Sequence, residues 1–170
     1  VLGPRINAGG RVGKCSHGAN LLLNTNPKNA FKLASELDHY NKERQMLEKD
    51  LMQKILNKTK DQLKDPVLVL SGINWHEGII GIVAARLKDK YNKPVIIISI
   101  DGEIGKASAR SIVGFDIGSA IIAATHEKIL LKGGGHKMAG GFSVKITNIK
   151  KFKEFVFRRF RNVNQDLTKE

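Results

Sequence analysis

Two stretches of the chain carry residues able to hold an anion. Lys132-Gly-Gly-Gly-His136 sets three successive glycines before an imidazole, between two apolar runs. Gly133, Gly134 and Gly135 admit backbone conformations closed to other residues and let a ligand approach the main chain closely. If a short helix begins near His136, its free N–H groups and dipole face the loop and form an anion site, to which His136 adds a side-chain donor. A glycine-bearing turn with a histidine bonded to a neighbour accounts for the same residues. Lys106-Ala-Ser-Ala-Arg-Ser111 places Ser108 and Arg110 two apart, so on a strand they emerge on one face. A hydroxyl beside a guanidinium holds a phosphate through several charge-assisted hydrogen bonds. An exposed strand with an incidental arginine is the plain alternative.

Other candidates stand further along the chain and at its start. Gly3-Pro-Arg-Ile-Asn-Ala-Gly-Gly-Arg11 reads as a flexible arm without acids, and Arg5, Asn7 and Arg11 there suit contact with a phosphate backbone. Trp75-His76-Glu77-Gly78 falls where a strand gives way to a helix, the end at which ligands bind in parallel α/β sheets. His76 is the candidate to face a phosphate or a base, Trp75 reads as packing and Glu77 as part of a helix cap. Asp38-His39-Tyr40 lies inside a helical run and reads as a solvated face.

Charge narrows the class of partner. With 29 Lys+Arg against 16 Asp+Glu the chain carries +13, which favours a polyanion, nucleic acid before membrane. Residues 1–35 contain no acid, residues 36–65 are neutral, and residues 145–161 hold seven bases against Glu154. The lone Cys15 excludes a disulfide framework, and no stretch approaches the roughly 20 apolar residues of a membrane span. With no signal-peptide pattern, a cytoplasmic setting is expected. The chain opens on Val1, and the expectation is a piece of a longer protein.

These residues need elements to position them. Asn26-Pro27 starts a helix, with Asn as the N-cap and Pro at the first helical position. Ala30, Leu33, Ala34, Leu37, Tyr40, Leu47, Leu51 and Ile55 then recur at helical spacing, with no break before Pro66. Val67–Leu70 and Val95–Ile98 are short apolar runs suited to strands buried on both faces, with a helix marked by Ile79, Ile80, Val83, Leu87 and Tyr91 between them. That order predicts a right-handed βαβ unit and a parallel sheet. The rest reads as a strand over 106–111, a helix over 116–131 with Asp116 as its N-cap, a glycine loop, a strand over 142–145 and a helix over 148–161.

Taken together, GPRINAGGR (3–11), LxxxNxxRQ (37–45), WHEGIIGIVAARL (75–87), KASARS (106–111), GFD (114–116) and GGGHKMAGG (133–141) closely resemble the RecJ family of single-strand-specific exonucleases, within the DHH/DHHA1 phosphoesterase superfamily. The resemblance covers essentially the whole chain. It implies an α/β fold: a DHHA1-type domain with a mainly parallel sheet flanked by helices, preceded by a long connecting helix and the edge of a DHH domain. Residues 1–26 match the trailing edge of the DHH domain, 27–64 the connecting helix and 65–163 the DHHA1 domain, leaving 164–170 as a tail. The implied activity is stepwise degradation of single-stranded DNA from a 5′-phosphate end, in repair and recombination, with Mn²⁺ or Mg²⁺ held in the DHH domain. The implied partners are single-stranded DNA and, beside it, single-strand-binding protein or a helicase.

Position by position, the resemblance makes Arg5 a substrate-strand contact and Ser108 and Arg110 the 5′-phosphate pocket. His136 and Gly133–Gly135 become the motif closing over phosphates, with a supporting catalytic role for His136; His76 is a conspicuous family position. Ala8-Gly9-Gly10 and Ala139-Gly140-Gly141 depart from the usual Ala-Ala-Gly, which loosens the backbone but removes no functional group. No Asp-His-His triplet occurs, and the five histidines are too scattered for a metal site. The chain is therefore expected to bind no metal, to supply the strand-holding half and to be inactive alone. Relatives acting on short oligoribonucleotides or cyclic dinucleotides, and a non-catalytic nucleic-acid-binding module, are the alternatives.

Overall fold

The glycine-rich opening is helical rather than a flexible arm. Leu2–Val12 forms helix α1, with Pro4 in its first turn, where a missing N–H costs nothing, and Ala8 and Gly9 buried. Helix α2, Ser16–Leu23, packs back on α1. A methyl group added to Gly9 would stand 2.7 Å from the Lys14 carbonyl oxygen, and one on Gly18 2.7 Å from Ile6 Cγ2. The departure from Ala at position 9 is thus required by the turn that brings α2 back. The computed structural model describes residues 2–167.

Helix α3, Pro27–Thr59, starts as its residue types predict: the Asn26 Oδ1 accepts from the amides of Lys28 and Asn29 at 3.0 and 3.3 Å. Its 33 residues extend about 50 Å, and a single 3₁₀ turn, Lys60–Gln62, follows. The buried positions along it step by three and four through Leu37, Asn41, Arg44, Glu48, Leu51, Ile55 and Thr59. Three polar residues therefore occupy the middle of the stripe that Tyr40 and Leu47 were expected to fill. They are paired: Arg44 Nη1 donates to Glu48 at 2.6 Å, and Arg44 Nη2 to the Asn41 Oδ1 at 3.2 Å. The chain divides into two compact units, Val1–Met52 and Gln53–Glu170.

The second unit is built on a five-stranded sheet. Its strands are β1 (Leu68–Ile73), β2 (Val95–Asp101), β3 (Ile104–Arg110), β4 (Lys132–His136) and β5 (Ala139–Lys145), in spatial order β1-β2-β3-β5-β4. Helix α4, Glu77–Tyr91, joins β1 to β2, and these two strands pair in parallel as the βαβ pattern requires. The expected α/β class holds, but the mainly parallel sheet does not: the other three ladders are antiparallel. The cause is turn chemistry. Gly102 takes φ +54° in the two-residue link between the paired Asp101 and Ile104, so β3 folds straight back on β2. Lys137 and Met138 likewise close a hairpin between His136 and Ala139. Neither link is long enough for a crossover.

Helices α5 (Ile117–His126) and α6 (Ile149–Leu167) pack around one core with the sheet face carrying Val69, Ile96, Ile98, Ala107, Ala109, Phe142 and Val144. Helix α5 ends five residues earlier than expected because Lys128 turns left-handed at φ +57° and Ile129 and Leu130 tuck into this core. Asp116 caps α5, accepting from the Ser119 amide at 2.9 Å. Helix α4 lies against β2 and β3 on the opposite face. The last four residues of α6 fall in the expected tail, 164–170, of which 168–170 lie outside the described residues. Among the described residues no helix is long and apolar enough to cross a membrane.

Candidate functional site

Strand alternation and register decide which side chains meet. Residues paired directly across antiparallel strands share a face, and residues two apart on one strand share it too. Three cross-strand rows therefore lie side by side on the half of the sheet formed by β3, β5 and β4. They are Lys106–Ser143–Lys132, Ser108–Gly141–Gly134 and Arg110–Ala139–His136. Ser108 and Arg110 share this face with His136, two strand spacings or about 10 Å apart. The opposite face of the same strands, through Ala107, Ala109 and Phe142, is the apolar core.

The Ser108–Arg110 pair is preorganised. Arg110 Nη1 donates to Ser108 Oγ at 3.1 Å and to the Ala109 carbonyl at 2.8 Å, and both side chains are half-buried. Helix α4 passes close above them, and Gly81 makes the passage possible: a methyl there would stand 3.0 Å from both Arg110 Nη2 and Ser108 Oγ. Gly81 was missed by the sequence reading, since only the packing of helix on strand reveals it.

The glycine run works differently from the expectation. Gly133–His136 is an edge strand in a hairpin, and no helix begins at His136. None of Gly133, Gly134 or Gly135 takes a positive φ, so conformational freedom is not their reason. Close approach is. On the core side a methyl at Gly133 would meet Ile121 Cγ2 and Phe142 Cβ at 2.7 Å, and one at Gly135 the Gly140 Cα at 2.5 Å. Gly118 of α5 would in turn meet the His136 carbonyl oxygen at 2.8 Å. Gly140, the second departure from the family pattern, would meet Ile121 Cδ1 at 2.5 Å. Gly134 stands apart, because a methyl there meets nothing within 4 Å. With Gly141 it forms a bare strip of backbone in the middle row, and His136 is exposed at its end.

A cleft of about 490 Å³ opens over this half of the sheet, lined by Lys106, Ser108, Lys132, Gly141 and Ser143, with Glu77 and Ile80 of α4 at its border. Arg110 and His136 flank it in the adjoining row and are not among its lining residues. Lys106 pairs with Glu77 at 2.8 Å, and this carboxylate holds the Lys106 ammonium pKa above its ordinary value. Lys106 and Lys132 were not singled out from the sequence. Each flanks a motif that was, and only the register through Ser143 brings them into one row. His76 caps α4, its Nδ1 accepting from the Gly78 amide at 3.2 Å, a part that sequence reasoning gave to Glu77. Trp75 packs over Gly72, with the Lys58 ammonium 5.5 Å from the ring centroid.

The first unit holds Arg5, Asn7 and Arg11, all on α1. Asn7 and Arg11 are four apart and share one exposed stripe, whereas Arg5 points elsewhere on the helix. Arg5 Nε donates to the Asp38 Oδ1 of α3 at 2.7 Å, and Lys42 Nζ reaches the other oxygen at 3.0 Å. These two cations hold the Asp38 carboxyl below its ordinary range. Asp38, read from sequence as part of a solvated face, is engaged on both oxygens. Of the seven bases of 145–161, Lys145 ends β5 on the same face, paired with Ile104 beside the Lys106–Ser143 row. The six on α6 do not join the rows, because that helix packs on the core side of the sheet and turns Lys150, Lys151, Arg158 and Arg161 to solvent there.

A divalent metal does not fit this donor set: among the described residues no three His, Cys, Asp or Glu side chains gather where an ion could sit.

The DHHA1 domain family matches residues 45–162. The chain is 35% identical to the single-stranded-DNA-specific exonuclease RecJ of Bacillus subtilis over 151 residues, 87% of this chain and 19% of that protein. It is 39% identical to the same enzyme of Haemophilus influenzae, over 85% of this chain and 26% of the relative. Crystal structures of RecJ from Thermus thermophilus with Mg²⁺ and with Mn²⁺ superpose with a TM-score of 0.83 at 32% identity, covering 95% of this chain and 25% and 24% of those chains. The chain thus spans about a fifth to a quarter of the length of these relatives.

Proposed function

The chain belongs to the DHHA1 domain family, and we propose that it is the strand-holding and phosphate-holding part of a single-stranded-DNA-specific exonuclease acting from the 5′ end. The observation that carries this reading is the set of three rows on β3, β5 and β4. They bring a hydroxyl–guanidinium pair, a histidine and two lysines onto one sheet face, around a strip without side chains. A phosphate at the strand's end would take hydrogen bonds from Ser108 and Arg110, with His136 donating from the other side of the bare strip. The Gly134–Gly141 strip lets the sugar-phosphate chain lie against the main chain, and Lys106 and Lys132 supply screening charge along it. Arg5, Asn7 and Arg11 would hold backbone phosphates through the first unit.

These contacts position a strand and neutralise it; they break no bond. In two-metal phosphodiester hydrolysis the ions activate water and stabilise the leaving oxygen. The RecJ relatives are solved with Mg²⁺ and Mn²⁺, and the carboxylates and imidazoles for such ions would lie outside the described residues of this chain. The chain alone is therefore expected to bind DNA without cutting it. Single-strand-binding protein or a helicase would present the strand.

Fluorescence anisotropy with 5′-phosphorylated and unphosphorylated single strands tests the reading. The phosphorylated strand should bind more tightly, both affinities should fall steeply with salt as counterions are released, and added Mn²⁺ should produce no cleavage. Affinity indifferent to salt and to the phosphate contradicts it. Competition by a dinucleotide as effective as by the longer strand would move the substrate class to short oligonucleotides.

A further inference from the structure

We propose that Asp38 is a positioning residue that fixes the Arg5 guanidinium for its phosphate contact, an inference that rests on the strand-holding reading above. The geometry comes first. Arg5 sits in the second turn of α1, and 43% of its side chain remains exposed. An arginine so exposed ordinarily samples many rotamers, and each must be given up when it grips a phosphate. Here Nε is committed to the Asp38 Oδ1 at 2.7 Å, a charge-assisted bond reaching across from α3. A guanidinium is planar, so fixing Nε and its bonded carbon fixes the plane of the remaining fork.

The second oxygen of Asp38 accepts Lys42 at 3.0 Å, one turn further along α3. One carboxylate therefore gathers two cations at a cleft of about 510 Å³ that Ser35 and His39 also line. Asp38 itself is only 31% exposed, whereas Lys42 is 71% exposed. The acid is the inner member and the cations lie outward, the order expected of a support beneath a binding group rather than of a competing acidic surface. Arg5 first and Lys42 second hold the Asp38 carboxyl below its ordinary range, which favours the ionised form that makes both contacts.

The sign of the effect separates this role from simple electrostatics. An acid near a phosphate repels it, so neutralising an incidental Asp38 would tighten DNA binding. If Asp38 orients Arg5, D38N must weaken it. The affinity of the chain for a 5′-phosphorylated single-stranded oligonucleotide is measured for wild type, R5A, R5K, D38N and the two double variants. R5A should weaken binding about tenfold and D38N about fivefold, while D38N added to R5A should cost nothing further beyond about twofold. D38N added to R5K should also cost no more than about twofold, because a lysine ammonium has no planar fork for the carboxylate to orient. The Nε–H proton resonance of Arg5, followed by NMR without DNA, should move in D38N and report, in a folded chain, a bond weakened by the loss of its charge.

Tighter or unchanged binding by D38N, with R5A still weakened, overturns the positioning role and leaves the strand-holding reading intact. Unchanged binding by R5A removes Arg5 from the strand contacts, and the positioning role with it. Losses that add in the double variant overturn it as well, since Asp38 would then act independently of Arg5.

Discussion

Two arginines offered for phosphate binding are held in opposite ways. Arg110 is fixed by its own strand, through the hydroxyl two residues before it and the carbonyl immediately before it. Arg5 is fixed by a carboxylate 33 positions away on another helix. The local device belongs to the sheet, where alternation brings i and i+2 together as a matter of course. The helical unit has no such geometry at hand and recruits a partner from α3. A binding arginine supported by its own strand is written in consecutive residues; one supported across helices is written nowhere until the chain folds.

The largest effect that sharpens this comparison is expected from R110A. It should lower affinity for a 5′-phosphorylated strand by about thirty- to a hundredfold and abolish the preference for the phosphate, because it removes the guanidinium proposed to hold the terminal group. R5A should cost less and leave the phosphate preference in place. Equal losses in both variants, measured by anisotropy with paired oligonucleotides, would erase the distinction between the two arginines.

The glycines of β4 divide in the same way between support and contact. G135A should destabilise the chain by about 2 kcal/mol, because its methyl meets the Gly140 Cα at 2.5 Å, read as a lowered Tm. G134A has open space above it and should leave stability within about 0.5 kcal/mol of wild type while weakening DNA binding about tenfold. A stable G134A variant that binds normally would show that no strand lies on the bare strip.

Smaller effects come from charge. D116A removes the α5 cap and should cost about 1 kcal/mol. The hydrogen bond donated by the Ser119 amide holds the Asp116 carboxyl below its ordinary range. A carboxyl more acidic in the folded chain stabilises above the unfolded pKa and loses that contribution as pH falls through the folded one. The difference between wild type and D116A should therefore be full near neutral pH and vanish in acid. E77Q should do least to stability: Lys106 and Glu77 are 58% and 51% exposed, a setting in which ion pairs contribute little. It should tighten DNA binding slightly at low salt by freeing Lys106.

What could be read from the sequence follows these distinctions. The Asn26 and Asp116 caps, the βαβ unit and the Ser108–Arg110 pair depend on neighbours a few residues apart, and all are found in the structure. Apolar runs announce strands but not their direction, so the parallel pairing of β1 and β2 does not extend to β3, which the Asp101-Gly102 turn reverses. The glycine run was placed in a loop because three glycines suit a loop as well as a strand that must lie against Ile121 and α5. Asn41, Arg44 and Glu48 were buried where apolar residues were expected, since mutual pairing lets polar groups occupy a helix stripe. Lys106 and Lys132 required register, which no single sequence states.

The face shared by Ser108, Arg110, Gly134 and His136 is the surface proposed to hold the strand. Backbone amide shifts of the isotope-labelled chain, followed by NMR during titration with a 5′-phosphorylated single strand, test it most directly. Salt-sensitive shifts should concentrate at 106–110 and 132–141 and be larger for the phosphorylated strand than for its unphosphorylated twin. Shifts confined to the basic exposed side of α6, with 108–110 and 134–136 unmoved, would contradict it.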